Sequence, residues 1–167
     1  HKILVDQKTA YLAGEPMTFG SRSGNDRNIQ HLEDLIGEKW EDTLPELIKN
    51  ASNKGKEWLH IFVNEAGLFD YMIIPAENLI PLYNKRTGNL DGAIRFYEDS
   101  ADVIRLELWT DTDVTFYVLE GGEMMLDTTE EYNPAPHFIQ GTQWKAWNRV
   151  PFIEFANNQE RMGDIHF

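Results

Sequence analysis

The feature that most constrains the fold of this chain is a change of hydrophobic period at Lys56. Before this residue, apolar side chains recur at the spacing of helices, and after it they alternate as they do in strands. Helices followed by a run of strands are typical of an α+β fold. We therefore expect N-terminal amphipathic helices followed by a mostly antiparallel sheet of about six to eight strands.

The length of the chain is that of one ordinary domain. We expect residues 1–167 to form a single domain that is a fragment of a longer protein, because no initiator Met precedes His1. Within it, residues 1–55 should be mainly helical and residues 56–156 mainly β. Residues 157–167 should be the truncated start of a further helix.

The first helix is predicted to end near Ala13. Three pairs of apolar residues lie seven positions apart and should share one broad side of the helix: Ile3 with Ala10, Leu4 with Tyr11, and Val5 with Leu12. That side must cover another part of the fold. Gly14 would supply a left-handed cap, and Pro16 prevents the helix from continuing.

Two more helices are expected before Lys56. The second should carry one apolar stripe, which is made of Ile29, Leu32, Ile36 and Trp40. The segment Thr43–Glu46 matches a capping box with Pro45 in the first turn, so the third helix should begin there and end near Ser52.

The β part is predicted as a series of hairpins separated by turn-forming residues. The expected strands are Trp58–Val63, Leu68–Ile74, one ending near Tyr83, Ala93–Tyr97, Val103–Trp109, Val114–Leu119, Glu123–Thr128 and Val150–Phe155. The first two are apolar on both faces, as in a covered sheet. Residues 130–147 show little periodicity, and we expect Trp144 and Trp147 to pack back onto the sheet.

Composition excludes several classes of function. Twenty-eight acidic and fifteen basic residues give a formal charge of −13, which disfavours unaided binding of nucleic acid. The chain has no cysteine, so it has neither disulfides nor thiolate metal sites. It shows no apolar run long enough for a membrane span and no leader segment, so we expect a soluble chain that does not contact a membrane.

The search for catalytic or ligand-binding motifs returns no site. Gly20–Gly24 places Arg22 where a nucleophile elbow requires serine, and the five histidines (His1, His31, His60, His137 and His166) lack the spacing of a zinc site. Asp111 and Asp113 fit a hairpin turn better than a calcium loop. We therefore predict no catalytic, cofactor-binding or metal-binding residues.

Two other interpretations of the chain stay open at this point. Trp58, His60 and Phe62 could line the cleft of a carbohydrate- or protein-binding β module, although packing in the core fits them better. A hydrolase with two carboxylates is also compatible with so many acidic residues, but nothing singles out two of them.

Four segments, in order along the chain, carry a resemblance to a known family. They are Lys2–Lys8 with Tyr11–Pro16, Asn64–Gly67 with Ile74–Tyr83, Ala93–Tyr97 with Val103–Trp109, and Asn148–Phe155 with Asn157, Asn158 and Glu160–Asp164. In this order they resemble the portal (head-to-tail connector) proteins of tailed bacteriophages, in the Gp6-like branch of long-tailed phages.

The resemblance implies a structural protein and not an enzyme. Portal proteins form rings of about a dozen subunits at one capsid vertex, a closed cyclic assembly through which a terminase motor drives DNA. The implied partners are other portal subunits, terminase, capsid or scaffold proteins, and neck proteins. The implied location is the virion, with assembly in the host cytoplasm.

The segments correspond to the outward wing of a portal protein. The helices, clip and tunnel loop that face DNA lie outside them, so the resemblance transfers no channel residue and implies no cofactor. DNA would pass through the ring, but direct binding by this part is not expected.

Overall fold

A computed structural model describes residues 2–22, 24 and 26–157. The chain divides into two compact units, each described by itself here. The helical unit comprises His1–Leu59 with Glu154–Phe167, and the sheet unit comprises His60–Ile153. The expected order of helices first and strands second is confirmed, and the fold class is α+β. The predicted helix in residues 157–167 falls almost entirely outside the described residues.

The first helix, α1, spans Lys2–Ala13 and packs against α3. Its predicted end is confirmed, but its predicted cap is wrong, because Gly14 does not adopt a left-handed conformation. A Cβ atom at Gly14 would instead lie 2.2 Å from the backbone oxygen of Ala10. The glycine is therefore required for space. Only Val5 of α1 is buried, so most of the expected apolar side is exposed.

The next two helices, α2 at Asp26–Ile36 and α3 at Lys39–Lys54, begin and end differently from the prediction. Gly37 adopts a positive φ of 66° and separates them, so Trp40 belongs to α3 and not to the stripe of α2. The predicted capping box is wrong. The hydroxyl of Thr43 donates to the carbonyl of Lys39 one turn earlier, and Pro45 lies inside the helix.

Eleven strands follow within the described part of the chain. They are β1 Lys56–Val63, β2 Phe69–Ile74, β3 Leu79–Tyr83, β4 Leu90–Ser100, β5 Val103–Trp109, β6 Asp113–Glu120, β7 Glu123–Leu126, β8 Ala135–Pro136, β9 Phe138–Gln140, β10 Gln143–Lys145 and β11 Phe152–Ala156. Between β2 and β3, residues Ala76–Asn78 form a single 3₁₀ turn.

The strands form three sheets. The largest has the order β3-β4-β5-β6-β7 with β8 also paired to β6, and its ladders are antiparallel. A second sheet has the order β11-β1-β2, and β9 and β10 form a two-stranded antiparallel hairpin. Sequence patterns missed β8, β9 and β10, because each is only two or three residues long.

The side chain of Asn133 fills a gap in the β6 ladder between β7 and β8. Its Oδ1 accepts a hydrogen bond from the backbone N–H of Phe116 at 3.0 Å, and its Nδ2 donates to the carbonyl of the same residue at 2.7 Å. A side-chain amide thus pairs with Phe116 as a peptide group of a neighbouring strand would. Asn133 also donates to the carbonyl of Asp127, which fixes the loop after β7.

Candidate interaction surfaces

The helical unit contains an open groove of about 520 Å³ between the segment that follows α1 and the two later helices. Apolar side chains, among them Phe19, Ile36 and Trp40, form part of its lining. Five carboxylates also line it, and they belong to Glu15, Glu33, Asp34, Glu38 and Glu41. No Lys or Arg appears among its described lining residues. The groove is therefore acidic, so it attracts cations and repels anions.

The core of the sheet unit is built around His60 and Trp109. The imidazole of His60 stacks on Phe152 at 4.6 Å between ring centroids and meets the edge of Trp109 at 4.8 Å. Its Nδ1 lies 3.1 Å from the carbonyl oxygen of Pro151 and must donate a proton to it. Burial, helped by the charges of Arg95 and His137 and opposed by the hydrogen bond to Pro151, lowers the pKa of His60 to about 4.

A second buried histidine, His137, packs against the other side of the same core, with its ring centroid 5.6 Å from that of Trp109. Its Nδ1 accepts a hydrogen bond from the backbone N–H of Trp147 at 3.2 Å. An imidazole that accepts at one nitrogen cannot be doubly protonated. Burial also lowers the pKa of His137, so both histidines are neutral parts of the core and do not form a reactive pair.

One face of the six-stranded sheet carries paired charges. Arg95 and Glu107 are cross-strand partners at 3.3 Å, and Glu107 also accepts a hydrogen bond from the indole N–H of Trp109 at 2.9 Å. Arg105 pairs with both Asp99 and Asp127, and two hydrogen bonds from Thr129 lower the pKa of Asp127. These carboxylates are held by cations and donors, so the charged face is a structural network.

The opposite face of this sheet, which we call the open face, is apolar and partly exposed: four of its apolar side chains are exposed and seven are half-buried. The register places its side chains in rows across the strands, because residues directly opposite each other in a ladder share a face. Its apolar members are Ile80, Leu82, Ile94, Phe96, Ile104, Leu106, Leu108, Tyr117, Leu119, Met124 and Leu126. None of them is buried, and Met124 at the edge is 64% exposed.

This arrangement inverts the usual alternation of an antiparallel sheet, in which apolar residues face the core and polar residues face water. Here the face with Arg95 and Glu107 also carries the buried Ala93, Trp109 and Val114. A covered sheet was predicted only for the first two strands, and the open face of the large sheet was not predicted. In Arg105–Glu107 the two charged residues lie on one face and Leu106 on the other, but this alternation does not show which of the two faces is buried.

The residues that the sequence motifs singled out have structural roles wherever the structure describes their contacts. Asp113 accepts hydrogen bonds from Thr110 and Thr112 and closes the predicted hairpin turn. Trp58 and His60 are buried, as the core interpretation required. His31 is exposed on α2, whereas His1, His166 and part of Gly20–Gly24 lie outside the described residues.

Searches for two further kinds of site gave no candidate. Across residues 2–22, 24 and 26–157, no group of three His, Asp or Glu side chains could hold a metal ion. In the same part of the chain, no helix has the length and apolarity that crossing a membrane requires. The groove of the helical unit and the two faces of the large sheet are therefore the candidate surfaces.

Comparison with known proteins gives the family. The family described as phage portal protein, SPP1 Gp6-like, matches residues 1–167. The portal protein of Bacillus phage SPP1 is 42% identical over 173 aligned positions, which cover 100% of this chain and 34% of that protein. The portal protein of Clostridium phage phiCD119 is 28% identical over 183 positions, covering 99% of this chain and 38% of its own length. The chain thus spans little more than a third of these relatives, and it belongs to the SPP1 Gp6-like family of phage portal proteins.

Proposed function

We propose that this chain is the wing of a phage portal ring, a structural component at one capsid vertex of the virion. The full-length protein would join head to tail and let DNA enter and leave the capsid, after assembly in the host cytoplasm. Its partners would be other portal subunits, terminase, capsid or scaffold proteins, and neck proteins. The observation that carries this proposal is the match to the portal family along all 167 residues.

Two physical properties of the chain support a role in contacting protein and not DNA. The formal charge of −13 repels phosphate, which suits a part that lets the duplex pass without holding it. The open face offers apolar area of the kind that protein partners cover. We further propose that the chain has no catalytic activity, since the buried carboxylates and histidines of its sheet unit, Glu107, Asp127, His60 and His137, are held in structural contacts.

The location of the wing can be tested with an epitope. We would insert a short epitope between Arg86 and Thr87, in the exposed turn that joins β3 to β4, and collect virions of the phage that encodes this variant. A Fab against the epitope should label one vertex, and electron microscopy of the isolated rings should place the Fab on the outer rim. Virions without the epitope serve as the control.

Two results would contradict the proposal. Label distributed over all vertices would exclude a portal, and label inside the channel of the ring would exclude a wing.

A further inference from the structure

The open face, which is partly exposed, and α1, whose outer side is exposed, are apolar surfaces on different units of the chain. We propose that they meet between subunits, so that the open face of one copy is covered by the outer face of α1 from the next copy. This inference rests on the proposed portal ring, and it names the contact by which that ring is held together at the level of the wing.

The open face needs a partner because of its size and composition. Its eleven apolar side chains lie in continuous rows, for example Phe96, Leu106, Tyr117 and Leu126, from one strand to the next. Soluble monomers rarely expose more than a few hundred Å² of contiguous apolar surface, and larger patches mark interaction sites. Water contact with such a surface is unfavourable by about 25 cal/mol per Å².

The outer face of α1 has matching chemistry. At 100° per residue, Ile3, Leu4, Gln7, Ala10 and Tyr11 fall on one side of the helix, opposite the buried Val5. All five are exposed, and Tyr11 is 89% exposed. Only Gln7 among them is polar. A helix with an apolar outer face has the surface that commonly packs on an apolar sheet.

Ring symmetry favours a contact between these two different surfaces. If the open face paired with the open face of a second copy, the contact would be isologous and would stop at a dimer. A ring requires a head-to-tail contact, in which one surface of a subunit meets another surface of the next. The open face and the outer face of α1 are two different surfaces of the same chain, as such a contact requires.

The dimensions of the two surfaces also agree. The 12 residues of α1 give a helix about 18 Å long at 1.5 Å per residue. The five strands from β3 to β7 give a sheet about 19 Å wide at 4.8 Å per spacing. At one end of the open face, Ile104 and Leu119 line a depression of about 630 Å³ between the turns at Ser100–Asp102 and Gly121–Gly122. This depression has room for a large side chain such as that of Tyr11.

The contact should be weak between two isolated copies. A stable interface commonly takes about 20–30 residues on each side, whereas the open face has eleven apolar residues and the outer face of α1 has five. We therefore expect the chain to be a monomer when dilute and to associate through this contact only at high concentration or within a closed ring.

Disulfide cross-linking tests the contact directly, because the chain contains no cysteine of its own. We would mix Tyr11→Cys with Leu106→Cys at high micromolar concentration under mild oxidation, and confirm by circular dichroism that both variants are folded. The control mixture is Tyr11→Cys with Thr87→Cys, since Thr87 is exposed in the β3–β4 turn and belongs to neither surface. Docking should raise the yield of the mixed dimer at least about tenfold over the control, because it raises the effective concentration of the two thiols.

Two outcomes would overturn the inference. One is a mixed-dimer yield equal to that of the control, and the other is a faster homodimer of Leu106→Cys alone, which would indicate face-to-face pairing. A second mixture, Tyr11→Cys with Ile80→Cys, should also exceed the control, so the result does not depend on one substitution. Failure here would leave the vertex location of the Fab label unchanged, so the two proposals fail separately.

Discussion

At the scale of single residues, the core of the sheet unit depends on histidines that stay neutral. Protonated His60 would place a positive charge among Trp109 and Phe152, where burial opposes it and Arg95 repels it. Protonated His137 could no longer accept the hydrogen bond from Trp147. Protonation of either imidazole therefore disfavours the folded state.

The stability of the protein should therefore fall as the pH is lowered. The pKa of His60 is about 4 in the folded state and 6.5 ordinarily, so between these values the unfolded chain binds a proton that the folded chain does not. The free energy of unfolding should keep its full value above pH 6.5. By pH 4 it should have fallen by about 3 kcal/mol because of the protonation of His60 in the unfolded chain. Urea unfolding at a series of pH values measures this dependence.

A matched pair of variants separates His60 from the carboxylates that also titrate in acid. His60→Gln keeps a donor for Pro151 and should show a shallower loss between pH 6.5 and 4 than the parent chain. His31→Gln, on the exposed surface of α2, should keep the parent slope. Equal slopes in all three proteins would contradict the assignment.

At the scale of elements, the end of α1 depends on a glycine that leaves room for the backbone. Gly14→Ala would place a Cβ atom 2.2 Å from the carbonyl oxygen of Ala10, which is fixed in the helix and cannot rotate away. The last turn of α1 must then open. We expect a loss of about 1–3 kcal/mol in the free energy of unfolding and faster proteolytic cleavage near residue 14. The matched control is Gly20→Ala, because a Cβ at Gly20 meets nothing within 4 Å.

Periodicity and turn chemistry predicted most long elements of the fold. The strand Val103–Trp109 was predicted at its observed limits, because alternation and flanking turn residues agree there. A turn forms at Asn64–Gly67, between the two predicted strands, and the side chain of Asn64 accepts backbone hydrogen bonds there. The next turn was expected at Arg86–Gly92, but it begins at Asn84 and Gly92 already lies in β4. The predicted limits of α2 and α3 near Trp40 and Thr43 were wrong, because α3 begins well before Pro45 and continues through it.

Alternation alone could not show which face of the large sheet is buried. A strand such as Ile94–Tyr97 has apolar side chains on both faces, so local pattern does not decide between them. The choice depends on long-range packing that buries Ala93 and Trp109 together with their ion-paired neighbours. The pairing of Asn133 with Phe116 was not predicted either, because the two residues are seventeen positions apart.

At the scale of the whole molecule, charge and apolar area indicate different partners. Acidic residues outnumber basic ones by twenty-eight to fifteen, and the described Arg95 and Arg105 are engaged in ion pairs within the sheet. Lys85 and Arg86 are the exposed pair of cations in the β3–β4 turn. Two cations neutralise too few phosphates to offset a formal charge of −13. The chain should therefore associate through its apolar surfaces and repel nucleic acid.

Affinity for duplex DNA tests this balance. Proteins that bind DNA without specificity do so with dissociation constants of about 10⁻⁴–10⁻⁶ M, through Lys and Arg at phosphates. For this chain we expect no saturation below about 100 μM duplex even at low salt, by fluorescence anisotropy of a labelled fragment. The double variant Lys85→Glu with Arg86→Glu should behave like the parent, because there is no binding for it to lose. Micromolar binding that the double variant abolishes would show that this turn is a DNA contact, and it would refute the view that this chain contacts only protein.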